Sequence, residues 1–132
     1  MYAKIPVLEE LISKGEISPQ LIDVFLEKGV FDKEETRRIL EAGKRIGLLA
    51  NFHGDEINYM ESGELAGEIG ALSVSHLERV SKEGIAKMAE ASTFAVLLPT
   101  TAYILRIHPP PARELIENGS FRKAFKPNRK TD

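Results

Sequence analysis

The sequence predicts an α/β fold, an incomplete (β/α) barrel of about four βα units. Three observations carry that expectation. Apolar runs of strand length alternate four times with amphipathic helical patterns, and strands joined by helical crossovers run parallel. The strand-to-strand steps are roughly 22 to 27 residues, room for a crossover of a dozen or more residues. The polar residues Glu27, His53, His76 and Thr100 fall at the expected strand exits, where a barrel keeps its chemistry. A doubly wound sheet satisfies the alternation equally well, but no phosphate-binding glycine fingerprint follows the first strand. A closed barrel needs eight strands and about 250 residues, and the 132 residues here supply about half of one.

The elements follow in order. Ile5 to Ser13 places Val7, Leu8, Leu11 and Ile12 at helical spacing, with Gly15 as the stop. Leu21-Ile22-Asp23-Val24-Phe25-Leu26 is a β-prone run ending at Glu27. Asp32 with Glu35 forms a capping box for a helix carrying Ile39, Leu40 and Ile46 and closed by Gly47. The strand leading to His53 comes next, then a short helix from Ser62 to Ile69 stopped by Gly70. A second histidine-bearing strand runs through His76, and Ser81 caps a helix with Ile85, Met88, Ala89 and Ser92 on one face. Thr93 to Leu98 reads as a strand buried on both faces. A loop holding Tyr103, Arg106 and three prolines then leads to a helical piece from Ala112 to Ile116. Gly43, Gly67 and Gly84 weaken the helical patterns they interrupt, by about 1 kcal/mol each relative to Ala.

Composition narrows the function classes. With 42% hydrophobic and 29% charged residues the chain reads as one soluble globular domain. There is no cysteine, so any metal is held by His, Asp or Glu, which suits zinc or iron in a hydrolytic role. No apolar stretch approaches the ~20 residues of a spanning helix, and no signal-peptide pattern opens the chain, so a cytoplasmic protein without a membrane partner is expected. Net charge is −2. Residues 121–132 carry five basic residues against one acid, a net of +4, leaving −6 for the body and no nucleic-acid footprint. Residues 1–119 are therefore expected to form the partial barrel and 120–132 a basic, disordered tail.

The chemistry centres on Asn51-Phe52-His53-Gly54-Asp55-Glu56, a histidine with a carboxylate three residues on, at a strand exit. Leu72-Ser73-Val74-Ser75-His76-Leu77-Glu78 repeats the design. Two histidines ending successive barrel strands face one pocket. Taken singly, a histidine at a strand end is more often a hydrogen-bonded structural residue than a ligand, and His108, beside three prolines, reads as a surface loop residue. Glu27 reads either as a hydrogen-bond partner behind the site or as a solvated carboxylate.

Val24-Phe25-Leu26-Glu27-Lys28-Gly29-Val30-Phe31, Asn51 to Glu56, Ser75-His76-Leu77-Glu78 and Leu97-Leu98-Pro99-Thr100-Thr101-Ala102-Tyr103, four blocks in order between Ile22 and Gly119, resemble the imidazolonepropionase family of metal-dependent amidohydrolases. The resemblance implies strands 4–7 of an amidohydrolase barrel. It implies hydrolysis of the ring amide of 4-imidazolone-5-propanoate to N-formimidoyl-L-glutamate in histidine degradation, with one zinc or iron ion and a small-molecule substrate bearing an imidazolone ring. Carried over, His53 matches a metal ligand, Glu56 a carboxylate that binds the substrate ring and moves protons, and His76 a histidine close to the carbonyl under attack. Tyr103 and Arg106 are assigned at most to the pocket rim.

The departures shape the expectation too. The family's His-x-His pair has no counterpart, and the family's terminal Asp-containing block is replaced by Gly119-Ser120-Phe121-Arg122-Lys123-Ala124-Phe125, with Asp132 out of context. One of four ligands remains, as in a truncated or alternatively spliced middle portion. A single imidazole holds a divalent ion weakly if at all, so impaired activity is expected of this chain alone. A half barrel leaves the Val24 and Leu97 strands as open edges, inviting a homo-oligomer or pairing with another subunit. A non-catalytic remnant, or another amidohydrolase, is the alternative.

Overall fold

A computed structural model describes residues 4–119; the segment 120–132, expected to be a basic tail, lies outside the described residues. The first helix, α1 (Lys4–Ser13), turns Ile5, Leu8, Leu11 and Ile12 to one half-buried side. The first β-prone run forms β1 (Leu21–Ile22) and β2 (Phe25–Leu26), parted at Asp23-Val24. Both pair with β3 (Leu49–Gly54) in one constant parallel register, Leu21 opposite Leu49 and Phe25 opposite His53. The two pieces are one strand path with an interruption.

Between them and β3 runs α2 (Lys33–Arg45), opened by the expected capping box: Glu35 N–H donates to the Asp32 side chain, and Asp32 N–H donates to the Glu35 carboxylate. Acidic residues at its start and basic ones at its end suit the helix dipole. The next unit is α3 (Ser62–Ile69), β4 (Ser73–His76) and α4 (Lys82–Ala91), where the Ser81 hydroxyl accepts from Gly84 N–H at 2.8 Å. The fifth strand, β5 (Phe94–Val96), is followed directly by α5 (Pro99–Leu105) and then α6 (Ala112–Glu117).

Two expectations are corrected here. The segment holding Thr100 and Tyr103 is helical rather than a loop, because Pro99 stands at the first helical turn, where its missing N–H costs nothing. Strand β5 is not buried on both faces: Phe94 and Ala95 are half-buried and Val96 is exposed, since β5 pairs only with β4. At the other edge Leu21 is likewise exposed, so both flanks of the described sheet are open.

Strand order is β1-β3-β4-β5 with β2 beside β3, and every pairing is parallel. Neighbours in space are neighbours in sequence, with no reversal of direction. Right-handed crossovers repeated without a switch point put the helices on one face, as in a (β/α) barrel and unlike a doubly wound sheet.

The two faces differ in chemistry. Val24, Leu26, Ala50, Phe52 and Val74 point toward the helices and join Ile39, Leu40, Leu65, Ile69 and Met88 in the core. The alternate positions Asp23, Asn51, His53, Ser73 and Ser75 lie on the other face, where Ser73 Oγ donates to Asn51 Oδ1. That polar face is the interior side of a barrel wall.

The helix glycines are contacts rather than flaws. A Cβ on Gly63 would stand 2.8 Å from the Gly84 Cα, and one on Gly67 2.6 Å from the Lys87 Cβ, so α3 and α4 touch backbone to backbone. Gly63→Ala is expected to lower stability by about 1–3 kcal/mol through overpacking, exceeding the ~1 kcal/mol that alanine adds as a helix former. Urea unfolding checks this as a lower midpoint at an unchanged slope.

Candidate active site

The site lies where β3 and β4 end. Their register pairs His53 with Ser75 and Gly54 with His76, so strict alternation would send the two imidazoles to opposite faces. Their ring centroids are nevertheless 5.6 Å apart, with a 52° tilt between planes. The backbone supplies the reason. His76 has φ of 82° and Leu77 of 67°, so the chain leaves extended geometry there and swings the His76 ring toward His53. Left-handed conformation costs a non-glycine residue roughly 1–2 kcal/mol. Leu77 is fully buried, and its N–H donates to the Gly54 carbonyl at 3.2 Å while Arg79 N–H donates to the Asp55 carbonyl at 2.7 Å. These contacts hold the bend.

His53 Nδ1 lies 3.0 Å from Asp23 Oδ1, and Asp23 occupies the interruption between β1 and β2. A carboxylate at Nδ1 fixes the proton there and leaves Nε2 as the nitrogen with a free lone pair, the arrangement found behind metal-binding histidines. The pair is open to solvent, with side chains 36% and 47% exposed, so it contributes orientation more than stability.

His76 is more enclosed. Its Nε2 is 3.4 Å from Glu56 Oε2, and its Nδ1 is 3.8 Å from Glu78 Oε2. Burial pushes the Glu78 carboxyl up, opposed by its own nearby backbone N–H and by the neighbouring His76, and reinforced by the Glu56 charge. The three expected site residues, His53, Glu56 and His76, thus gather at one rim.

The loop carrying Glu56 is held at both ends by buried carboxylates. Asp55, fully buried at φ 53°, accepts from Met60 N–H at 2.6 Å and Ser62 N–H at 3.1 Å. It takes the place of the side-chain cap that Glu61 does not give α3. Burial pushes the Asp55 carboxyl up to about 6, against the hydrogen bonds it accepts. Glu27, buried after β2, accepts from Lys28 N–H at 2.8 Å, Ile57 N–H at 3.0 Å, Asn58 N–H at 3.3 Å and Asn58 Nδ2 at 2.7 Å. Burial alone would raise its pKa, but these four bonds together hold it below the ordinary value. Glu27 is therefore neither solvated nor bonded to either site histidine. It is the clamp that ties the β3 exit loop to the β2 exit.

Other expected positions fall elsewhere. Thr100 is exposed in the first turn of α5. Tyr103, 85% exposed, and Arg106 line a groove of about 690 Å³ along α5 that shares no residue with the histidine cluster. His108 is an exposed loop residue, as expected. Asp23, Asp55 and Glu78 were not singled out by the sequence. Asp23 had a readable signal, being the one charge inside an apolar strand run.

Among the described residues no three His, Asp or Glu side chains converge as a metal-binding group. Of this cluster, His53 alone has a carboxylate-supported nitrogen suited to a metal. No described helix is long and apolar enough to cross a membrane.

No protein-family model matches the chain. It is 61% identical over 128 residues to a Dictyostelium discoideum protein named "Probable imidazolonepropionase", covering 95% of this chain and 30% of that one. Proteins of the same name from Xenopus tropicalis and Homo sapiens are 56% and 54% identical, each over 127 residues, 94% of this chain and 29% and 30% of theirs. The chain thus spans about 30% of the length of these curated relatives. Among solved structures, an amidohydrolase from a Sargasso Sea environmental sample superposes with a TM-score of 0.60 at 17% identity, over 88% of this chain and 29% of that one. An uncharacterized protein gives 0.51 at 16% identity, over 87% of this chain and 32% of that one. The partial barrel is thus a fold shared with an amidohydrolase.

Glu27→Gln preserves shape but turns an amide NH₂ toward N–H donors. A loss of about 1–3 kcal/mol is expected from the unsatisfied groups, with faster amide exchange at Ile57 and Asn58. The sign with pH follows from the lowered folded pKa. The wild-type advantage is present above the unfolded value of about 4.5 and is lost as pH falls through the folded one. Urea unfolding of both proteins from pH 7 to pH 3 checks it: the gap between them narrows on acidification.

Proposed function

We propose that this chain, a relative of imidazolonepropionases over most of its own length, carries part of the active site of a metal-dependent amidohydrolase. The reaction is opening of the ring amide of 4-imidazolone-5-propanoate to N-formimidoyl-L-glutamate. The observation that carries this reading is the gathering of His53, Glu56 and His76 at one rim, in a sequence 61% identical to a relative of that name.

The roles follow from the geometry. His53 offers Nε2 to a zinc or iron ion, its other nitrogen being held by Asp23. Such an ion, when bound, supplies Lewis acidity and lowers the pKa of a water molecule toward neutral. Glu56, 13% exposed at the rim, would accept a proton from the water that attacks the ring carbonyl carbon. It would return the proton to the ring nitrogen as the C–N bond breaks and so regain its carboxylate form, with no net change in the charge of the enzyme. His76, with Nε2 toward the same space, hydrogen-bonds the carbonyl oxygen as negative charge builds there. The polar wall of Asn51, Ser73 and Ser75 offers hydrogen bonds to a polar ring. Catalytic metal sites normally use three protein ligands, so His53 acts together with ligands from polypeptide beyond the segment described.

A chimera tests this. Residues 4–119 replace the matching segment of the Dictyostelium relative, with the parent protein as control. The chimera is expected to consume the imidazolone and to bind about one metal ion per chain. His53→Ala is expected to lower metal content together with activity, and Glu56→Gln to lower kcat about 10²–10⁴-fold with metal retained. A folded, metal-loaded chimera without turnover beside an active parent would overturn the proposal.

A further inference from the structure

Glu78 has no place in the chemistry above, yet it is an enclosed acid beside it. Its side chain is 0% exposed, and neither carboxyl oxygen has a hydrogen-bond partner among the described residues. The His76 Nδ1 is also buried and without one. These orphaned groups face each other at 3.8 Å, beyond a hydrogen bond, and closing the gap by about 1 Å brings them into range. An unmet buried polar group is costly, so each is the natural partner of the other.

The placement has a local cause. The left-handed turn at His76 and Leu77 buries Leu77 in the core and brings Glu78 back beneath the imidazole, opposite Glu56. The ring is therefore flanked by a carboxyl at each nitrogen, the half-open Glu56 at Nε2 and the sealed Glu78 at Nδ1.

We propose that Glu78 is a positioning residue that shares a proton with His76 Nδ1, locking the ring so that Nε2 faces Glu56 and the substrate. The proposal rests on the role given to His76 above and concerns how that role is enforced. Glu78 touches no reacting atom. Like Asp23 behind His53 it fixes a ring at Nδ1, but here the shared proton sits on the Glu78 carboxyl side, so Nε2 keeps its own proton and donates toward the carbonyl oxygen.

The test uses two variants and two readouts. Glu78→Met keeps the shape and removes the partner, whereas Glu78→Gln keeps a hydrogen-bonding tip. In the chain itself, ¹⁵N NMR of the histidine rings is expected to show the His76 Nδ1 resonance displaced in Glu78→Met and closer to wild type in Glu78→Gln, with His53 and His108 as internal controls. In the chimera, Glu78→Met is expected to reduce kcat about 10–100-fold, the range for lost support behind a site residue, with KM little changed and partial recovery in Glu78→Gln. An unmoved His76 signal in folded Glu78→Met, or one displaced as far in Glu78→Gln as in Glu78→Met, overturns the proposal. The ring signal is independent of the reaction, so an inactive chimera with a displaced signal counts against the hydrolase reading and leaves this one standing.

Discussion

A single carboxylate, that of Glu27, governs the geometry of the rim. It stands at the end of β2 and collects four N–H groups, three of them from Ile57 and Asn58 across the sheet. Loops after barrel strands are ordinarily the least constrained part of the fold. Here the loop after β3 must set Glu56 against His76, and Glu27 at one side with Asp55 at the other fixes its path. Both acids are spent on donors of the loop, which leaves Glu56 directed at His76.

The second constraint is conformational. A parallel sheet with a two-residue side-chain period cannot put His53 and His76 on one face in this register. The left-handed pair His76-Leu77 resolves the conflict, with the buried Leu77 side chain and two backbone hydrogen bonds opposing the strain. Strain held by packing at a site of chemistry is the pattern expected of preorganised groups. The same turn leaves Glu78 under the ring, so one backbone irregularity places both His76 and Glu78.

Much of this was legible in the sequence, for physical reasons that differ by element. The Asp32/Glu35 capping box, the Gly70 stop and the Ser81 cap are local hydrogen-bond or φ requirements, and local rules read them correctly. The parallel arrangement followed from alternation alone. The α5 helix was missed because three prolines nearby suggested a loop, whereas Pro99 begins the helix and the other three, Pro109 to Pro111, lie beyond it. The apolar run at β5 suggested full burial, but burial depends on neighbours, and here the sheet ends on one side. Asp55 and Glu27 were invisible as clamps because the loop partners they tie down sit 5 to 31 positions away, and no spacing rule encodes a bond to backbone N–H groups across the sheet. The meeting of the two imidazoles was expected from their places at successive strand exits. The backbone turn that permits it was not.

The sequential strand order bears on how such a piece of barrel acquires its shape. Each strand finds its partner one unit along the chain, as Asn51 finds Ser73 and Ser73 finds Phe94, so the loops closed in forming the sheet are short and their entropic cost is small. Each βα unit adds to a template already present. Growth of this kind does not wait for ring closure. A wall of the barrel can assemble by accretion, which accounts for a well-formed core in a stretch about 30% as long as its relatives.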